Sequence, residues 1–451
     1  MVLSPCFQNT RQARIVFPMR RYFGTDGVRG EAGKPPLTPE FVLRLGQAAG
    51  AYFRAHSPKP VVLLAKDTRE SSDLLEAALA AGLMSQGVRV EHLGVLPTPG
   101  VAYLTRHLKA TAGTMISASH NPYQDNGIKF FGPEGEKLPD EAEEEIEALL
   151  EEAHPTRGIG TVGDFREAER MYLDFLLAQA PDLAGLRIGL DLAHGATYRL
   201  GPKLFQRAGA EVMAFFNTPD GRNINKGCGS THPEALGRFV VELGLDLGIA
   251  FDGDGDRVQF IDRQGRLFHG DHILYLTALA FGEEGVVGTV MSNVGLEVAL
   301  KERGLAFHRA AVGDRYVLEM LKEKGLFLGG EPSGHVIFLR HHTTGDGLLT
   351  ALLTLKALKV LGGDLADWYE ALPMYPQVLL NVRVEDKAKV MGHPRLREAV
   401  REAEAKLKGL GRVNVRPSGT EPVVRVMVEA KEGAEAVARE LADLVSALDR
   451  E

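Results

Sequence analysis

Short β-rich apolar runs that alternate with helix-patterned segments constrain this chain more than any other feature. Val61–Ala65 reads as a buried strand, Ser72–Gln86 as a helix and Val88–Leu93 as a strand again. A further helix then precedes a strand over Gly113–Ser117. Strands separated by helices imply parallel βαβ units with both sheet faces covered. The cycle restarts with strands at Leu186–Leu190, Glu211–Phe216 and Leu247–Phe251, and helices over Tyr198–Gly209 and Pro233–Leu243. A third round begins near Val258 and includes Asp271–Phe281, Val286–Met291, Gly295–Arg303 and Arg315–Lys324. The tail departs from this rhythm. Val378–Val384 and Val423–Glu429 alternate apolar and polar residues as half-buried antiparallel strands do, and helices are expected over Pro394–Leu407 and Ala434–Leu448.

The pattern therefore predicts three α/β units followed by one α+β unit. Breaks such as His154-Pro155 and the Gly158-Ile159-Gly160 run place the divisions at 19–155, 156–257, 258–370 and 371–451. A length of 451 residues suits two to four domains.

Charge and cysteine usage exclude several function classes. A net charge of -8 offers no whole-protein positive field for nucleic acid or an anionic membrane. No apolar run approaches the ~20 residues that span a bilayer. Two cysteines are too few for a disulfide framework or a structural zinc site, and a reducing cytoplasm is the simplest compartment. Arg11, Arg14, Arg20 and Arg21 hint at an organellar transit peptide, but the serine enrichment and the amphipathic helix are missing. Residues 1–18, ahead of Met19, are expected to be a mis-called start or a loose arm.

Four loops carry chemistry. The first is Ser117-Ala118-Ser119-His120-Asn121-Pro122, continuing to Asn126-Gly127-Ile128-Lys129. A serine just beyond a buried strand sits at the sheet's carboxyl edge, where open α/β sheets bind ligands. His120 and Lys129 offer proton transfer and positive charge there, although alone the segment is equally a Ser/Asn-rich turn. No serine lies in G-x-S-x-G, so a hydrolase elbow is not the explanation.

The second loop is Asp252-Gly253-Asp254-Gly255-Asp256-Arg257. Three carboxylates at alternate positions converge on one hard cation such as Mg²⁺, since acids so close repel one another unless neutralised. An EF-hand would need Gly and Glu where Arg257 and Arg263 stand.

The third is Gly330-Glu331-Pro332-Ser333-Gly334-His335, whose Glu331 and Ser333 alternate toward one side as hydrogen-bonding groups for sugar hydroxyls would; in isolation it is at least as well a hairpin turn. The fourth, Arg416-Pro417-Ser418-Gly419-Thr420-Glu421-Pro422 with Arg425 close behind, offers backbone and hydroxyl donors plus two guanidinium groups, and looks like a phosphate cradle. The pair His341-His342 is expected to be an exposed loop pair rather than a metal site.

Together, in this order and one per unit, the four loops resemble those of the α-D-phosphohexomutases, from Met19 to the C-terminus. The resemblance implies three mixed-sheet α/β domains and a C-terminal α+β domain around a central cleft. It implies transfer of a phosphoryl group between O6 and O1 of a sugar phosphate. Ser119 then resembles the serine that carries the phosphoryl group and, with Asp252, Asp254 and Asp256, holds one Mg²⁺ per chain. Arg29 of Gly24-Thr25-Asp26-Gly27-Val28-Arg29-Gly30, with His120 and Lys129, resembles the basic catalytic group. Arg257, Glu331, Ser333 and His335 resemble the sugar-binding residues, and Arg416, Ser418, Gly419, Thr420 and Arg425 the site for the non-reacting phosphate.

Within that family, Arg21-Tyr22-Phe23-Gly24, Asn223-Ile224-Asn225 with Cys228-Gly229-Ser230-Thr231-His232, and Val312-Gly313-Asp314-Arg315-Tyr316 are similar to the bacterial phosphoglucosamine mutases. That likeness implies interconversion of glucosamine 6-phosphate and α-glucosamine 1-phosphate, on the route to UDP-N-acetylglucosamine and peptidoglycan precursors. A sugar 1,6-bisphosphate is implied as intermediate and activator. Pro332 stands where those enzymes usually carry Gln, which leaves a phosphoglucomutase/phosphomannomutase as the alternative. A Mg²⁺-dependent sugar phosphatase and a non-catalytic phosphosugar binder are further readings, less consistent with a phosphate cradle and a serine kept beside three aspartates. Expected partners are a phosphosugar, no nucleic acid and no membrane, with a monomer or homodimer.

Overall fold

The structure, a computed structural model, describes residues 21–451 apart from 25, 153, 408–410 and 418–422. The expectation about residues 1–18, and the proposed cradle residues Ser418, Gly419 and Thr420, lie outside the described residues.

The first sheet is built from β1 (Phe23–Gly24), β2 (Gly27–Glu31), β3 (Val61–Lys66), β4 (Arg89–Val95), β5 (Ala112–Ile116), β6 (Asp125–Phe131) and β7 (Val162–Asp164), ordered β1-β2-β6-β5-β3-β4-β7. Its helices are α1 (Pro39–His56), α2 (Ser72–Met84), α3 (Thr98–His107) and α4 (Asp140–Leu150). The β3, β4, β5 and β7 strands run parallel, as strands separated by helices should, while β6 returns antiparallel to both β5 and β2.

After α5 (Ala168–Leu177), the second sheet comprises β8 (Arg187–Asp191), β9 (Glu211–Phe215), β10 (Leu247–Phe251), β11 (Val258–Ile261) and β12 (Leu267–Phe268), ordered β12-β11-β10-β8-β9 and flanked by α6 (Leu200–Arg207) and α7 (Glu234–Glu242). The third runs β14-β13-β15-β16 from β13 (Gly285–Thr289), β14 (Ala306–Ala310), β15 (Leu328–Gly330) and β16 (Val336–Phe338). Helices α8 (Gly270–Phe281), α9 (Val294–Glu302), α10 (Asp314–Lys324), α11 (Gly347–Leu361) and α12 (Leu365–Ala371) accompany it. The last sheet, β17-β19-β18, is wholly antiparallel: β17 (Gln377–Arg383), β18 (Gly411–Pro417) and β19 (Val423–Ala430), with α13 (Lys387–Gly392), α14 (Pro394–Lys406) and α15 (Ala434–Arg450). The chain is thus α/β with mixed sheets and a small α+β tail, as its residue pattern indicates.

One apolar cluster is shared by the first three sheets, from Leu63 and Met115 through Ile188 and Phe251 to Ile273 and Leu352. The fourth keeps its own, around Val424, Val426 and Leu441. A polar joint connects that last unit to the rest. The fully buried Glu429 carboxylate accepts from Val294 N at 2.7 Å and from Arg412 Nε at 2.7 Å, and Asn293 pairs with the backbone of Tyr375. Burial of that carboxylate is sustained by a helix N-terminus and a guanidinium, the partners that offset its desolvation.

Some segments differ from the sequence expectation. Asn126–Lys129 is not loop but strand β6, because Ile128, Phe130 and Phe131 are buried against both neighbours. Strand β18 was not expected, since Val413 and Val415 are too few apolar residues to stand out beside two arginines. Strand β7 joins the first sheet beyond the 155/156 division, and β11 and β12 join the second beyond 257/258. His341-His342 needs correction: His342 is buried, its Nε2 lying 2.9 Å from Pro99 O and its Nδ1 accepting from Thr343 N, while His341 is half-buried. A ring packed under α3 satisfies both nitrogens there. No helix among the described residues is long and apolar enough to cross a membrane.

Candidate active site

Strand β5 ends at Ile116, and the chain turns within three residues to present Ser119. Ser119 has a left-handed backbone, φ 52°, unusual for a residue other than glycine. Ser117 Oγ accepts from Ser119 N at 2.9 Å, an ST-type turn that closes the loop locally. Strand β10 ends at Phe251, so the aspartate loop begins at the same edge of its own sheet. The two loops meet: Ser119 Oγ donates to Asp252 Oδ2 at 2.6 Å. Gly253 permits this approach, for a Cβ there would lie 2.5 Å from Ser119 O and 2.7 Å from Asn225 Nδ2.

The carboxylates of Asp252, Asp254 and Asp256 each offer an oxygen within 4.8 Å of the others, and Asp252 and Asp254 are fully buried. Burial, then the charges of Asp256 and Asp254, push Asp252 well above the usual carboxylate range. Burial and Asp254 raise Asp256 likewise. Asp254 goes the other way: burial opposes ionisation, but Lys129 Nζ at 2.9 Å and Thr98 Oγ1 at 2.6 Å hold it ionised. The Oδ1 atoms of Asp254 and Asp256 are buried without a hydrogen-bond partner among the described residues. Mutually repelling carboxylates with unspent oxygen lone pairs fit a hard cation, and Ser119 Oγ is placed to share it.

A ring of alternating charge backs this cluster. Lys129, on β6, has Asp26 at 3.5 Å on its other side. Although burial disfavours its charge, Asp254 and Asp26 raise the pKa of its ammonium. Asp26 also pairs with Arg29 on β2 and with Lys137. Lys137 Nζ reaches Asp314 at 2.8 Å, and His335 Nε2 lies 3.9 Å from both Asp314 and Asp256.

These groups border a cavity of about 430 Å³ lined by Arg29, Ser119, His120, Asp256, Arg257, Glu331 and His335, among others. Burial, then Arg257 and Arg29, lower the His120 pKa to about 4, so its ring is neutral at pH 7; its Nδ1 is 3.4 Å from Ser119 Oγ. Lys129, Asp252 and Asp254 stand behind the wall.

The third loop is both a hairpin, joining β15 to β16, and part of the site. Glu331 Oε1 accepts from Gly313 N at 3.0 Å, and Ser333 Oγ lies 3.5 Å from its Oε2. Pro332 is anchored by its carbonyl, which accepts from Gln259 Nε2 at 3.0 Å and Gly270 N at 3.2 Å. Arg416 and Arg425 face each other across the β18–β19 ladder and do not line the cavity.

Sequence reasoning missed Lys137 and Arg69 altogether. Lys137 sits in an acidic, turn-rich stretch where a single lysine carries no signal. Asp26, Asp314 and Tyr316 stand inside recognisable motifs that gave them no role, yet all three line the cavity.

The chain matches the family described as phosphoglucomutase/phosphomannomutase in four parts. These are alpha/beta/alpha domain I over residues 20–157, domain II over 170–265, domain III over 269–375 and the C-terminal domain over 379–447. It is 89% identical over 433 residues, 96% of this chain and 99% of the relative, to a phosphoglucosamine mutase of Thermus thermophilus. A phosphoglucosamine mutase of Deinococcus radiodurans is 59% identical over 421 residues, 92% and 95% of the two chains. Among solved structures, a phosphoglucomutase/phosphomannomutase family protein of Burkholderia thailandensis superposes with a TM-score of 0.78 at 23% identity, covering 94% of this chain and 97% of that one. That last likeness speaks to fold alone.

Proposed function

From the premise that the chain belongs to the phosphoglucomutase/phosphomannomutase family, we propose that it is a phosphoglucosamine mutase. It interconverts glucosamine 6-phosphate and α-glucosamine 1-phosphate, an intramolecular phosphotransfer of the isomerase class, and works in the cytoplasm toward amino-sugar nucleotides. The near-identity to the Thermus enzyme supports the sugar, and one observation supports the chemistry: a serine hydroxyl that lines the cavity lies 2.6 Å from one carboxylate of a triple-aspartate cluster.

Ser119 Oγ carries the phosphoryl group. A sugar hydroxyl attacks the phosphorus in line, the Oγ–P bond breaks and a 1,6-bisphosphate forms; the bisphosphate turns end for end and returns its other phosphoryl group to Ser119. The same bisphosphate, added from outside, primes an unphosphorylated enzyme. Such transfers depend on charge neutralisation and alignment more than on covalent chemistry. Arg29 and Arg257, on the cavity wall, meet the oxygens of the transferring group. His120 is a neutral ring beside Ser119, Lys129 holds Asp254 ionised, and Glu331, Ser333 and His335 orient the sugar. Arg416 and Arg425, with the loop between them, grip the phosphate that is not reacting. Asp252, Asp254, Asp256 and a Ser119 oxygen would hold Mg²⁺, which supplies neutralisation of the developing charge.

Incubating the protein with glucosamine 6-phosphate, Mg²⁺ and a catalytic amount of glucose 1,6-bisphosphate tests the proposal. Glucosamine 1-phosphate is expected with no net phosphate release. Stoichiometric free phosphate, or no turnover, would overturn it.

A further inference from the structure

Holding Ser119 in the left-handed region requires neighbours that over-determine its backbone, because the residue must keep a side chain that glycine lacks. Two side chains do so. Arg69 Nη2 donates to Ser119 O at 3.2 Å and to Asn121 O at 2.6 Å; Asn225 Nδ2 donates to the same two carbonyls at 2.9 and 3.1 Å. Both residues are buried. The two donors therefore bracket His120, fixing the Ser119–His120 peptide before it and the Asn121–Pro122 peptide one residue beyond it.

The Asn225 amide has one workable orientation. Both hydrogens of Nδ2 are spent on carbonyls while Oδ1 has no partner among the described residues, so a flipped amide would set oxygen against two oxygens. Asn225 belongs to the loop after β9, outside the first sheet. It is itself left-handed, φ 59°, with its N–H bonded to Ala193 O at 2.9 Å, and Ala193 and His194 are left-handed too. A second set of strained residues thus supports the first, and Thr68 Oγ1, donating to His194 O at 2.5 Å, ties the segment back to the first sheet.

We infer that Asn225, together with Arg69, is a positioning residue that sets the angle at which Ser119 Oγ faces the aspartate cluster, so that phosphoryl transfer at Ser119 depends on a side chain from the neighbouring sheet's loop. The inference rests on Ser119 being the phosphoryl carrier.

Asn225→Gly tests it, since glycine takes φ near 59° freely and only the amide is lost. Expected are a near-wild-type melting temperature, a KM for glucosamine 6-phosphate within about twofold, and a kcat lowered about tenfold or more, the scale of a misaligned reacting group. The rate at which glucose 1,6-bisphosphate phosphorylates Ser119, followed by intact mass and peptide mapping, should fall by the same factor. A merely structural role would lower the melting temperature and leave the turnover of folded protein unchanged. Asn225→Asp keeps the size and tolerates the same backbone but turns the donor into an acceptor; it should be at least as slow, and it carries the test if the glycine variant does not fold. Phosphorylation and kcat within about twofold of wild type in a folded variant would overturn the positioning role alone. Wild-type protein that takes up no phosphate at residue 119 would remove the premise, and the inference with it.

Discussion

Ser119 Oγ and Asp252 Oδ2 lie 2.6 Å apart although 133 positions separate them in the chain. The bond exists because β5 and β10, in different sheets, end at a common edge. One sheet brings the serine hydroxyl and the other the aspartate cluster, and neither loop alone makes the arrangement.

Replacing that hydroxyl should stop the reaction without harming the fold. Ser119→Ala removes one hydrogen bond to the buried Asp252 carboxyl, a change of roughly 1–3 kcal/mol, and should leave no measurable mutase turnover and no phosphate uptake by intact mass. Ser117 cannot take over, because it does not line the cavity and its oxygen already accepts from Ser119 N. Retention of more than a few per cent of wild-type activity would refute the assignment.

Asp254→Asn should weaken Mg²⁺ binding at least tenfold by calorimetric titration, since a neutral amide replaces the ionised member of the cluster. It should also destabilise the fold by roughly 1–3 kcal/mol, because Lys129, fully buried, loses its nearer counter-charge. Unchanged Mg²⁺ affinity would show that the three aspartates are not the metal site.

Away from the site, His92 Nδ1 lies 2.8 Å from Glu76 Oε1, and that hydrogen bond raises the imidazole pKa above its ordinary 6.5. A raised folded-state pKa gives stability that is complete below the unfolded value and lost as pH rises through the folded one. His92→Gln should therefore destabilise more at about pH 5.5 than at about pH 8.5. The difference is at most ~1 kcal/mol, because the pair is partly open to solvent. Equal losses in urea melts at both pH values would contradict this reading.

Much of this was legible in the chain. The aspartate triplet follows an apolar strand with glycines between, a spacing that leaves little besides a cation to explain it, and the structure gathers those carboxylates. The serine loop just past a buried strand was half legible: alone it is equally a Ser/Asn-rich turn, and only the resemblance singles out Ser119 within it. What stayed hidden depends on tertiary closure. Arg69 and Asn225 are polar residues in loops rich in polar residues, and only the crossing of two sheets gives their donors a shared target. Lys129 read as a loop lysine, whereas the pleat of β6 aims it inward at Asp254. His342 read as exposed because sequence does not reveal that α3 covers it.

Under the proposed function, the sugar preference is expected to turn on Glu331, which lines the cavity. Its Oε1 accepts from Gly313 N at 3.0 Å, so the carboxylate is held in place before substrate arrives and its Oε2, with Ser333 only at 3.5 Å, keeps acceptor capacity. Pro332 adds no amide beside it; its carbonyl is already bound to Gln259 and Gly270. Discrimination between glucosamine and glucose phosphates then falls largely to a charge-assisted bond from the substrate ammonium, worth up to ~3 kcal/mol against ~0.5–1.5 for a neutral hydroxyl contact. Wild type should prefer glucosamine 6-phosphate in kcat/KM, with measurable side activity on glucose 6-phosphate. Glu331→Gln keeps the shape and can still accept through its carbonyl, but it removes the charge. It should cut kcat/KM for glucosamine 6-phosphate about tenfold and change glucose 6-phosphate much less, narrowing the ratio. A wild-type ratio at or below one would place the enzyme with the broader glucose- and mannose-phosphate mutases; an unchanged ratio in Glu331→Gln would move discrimination to another wall of the cavity.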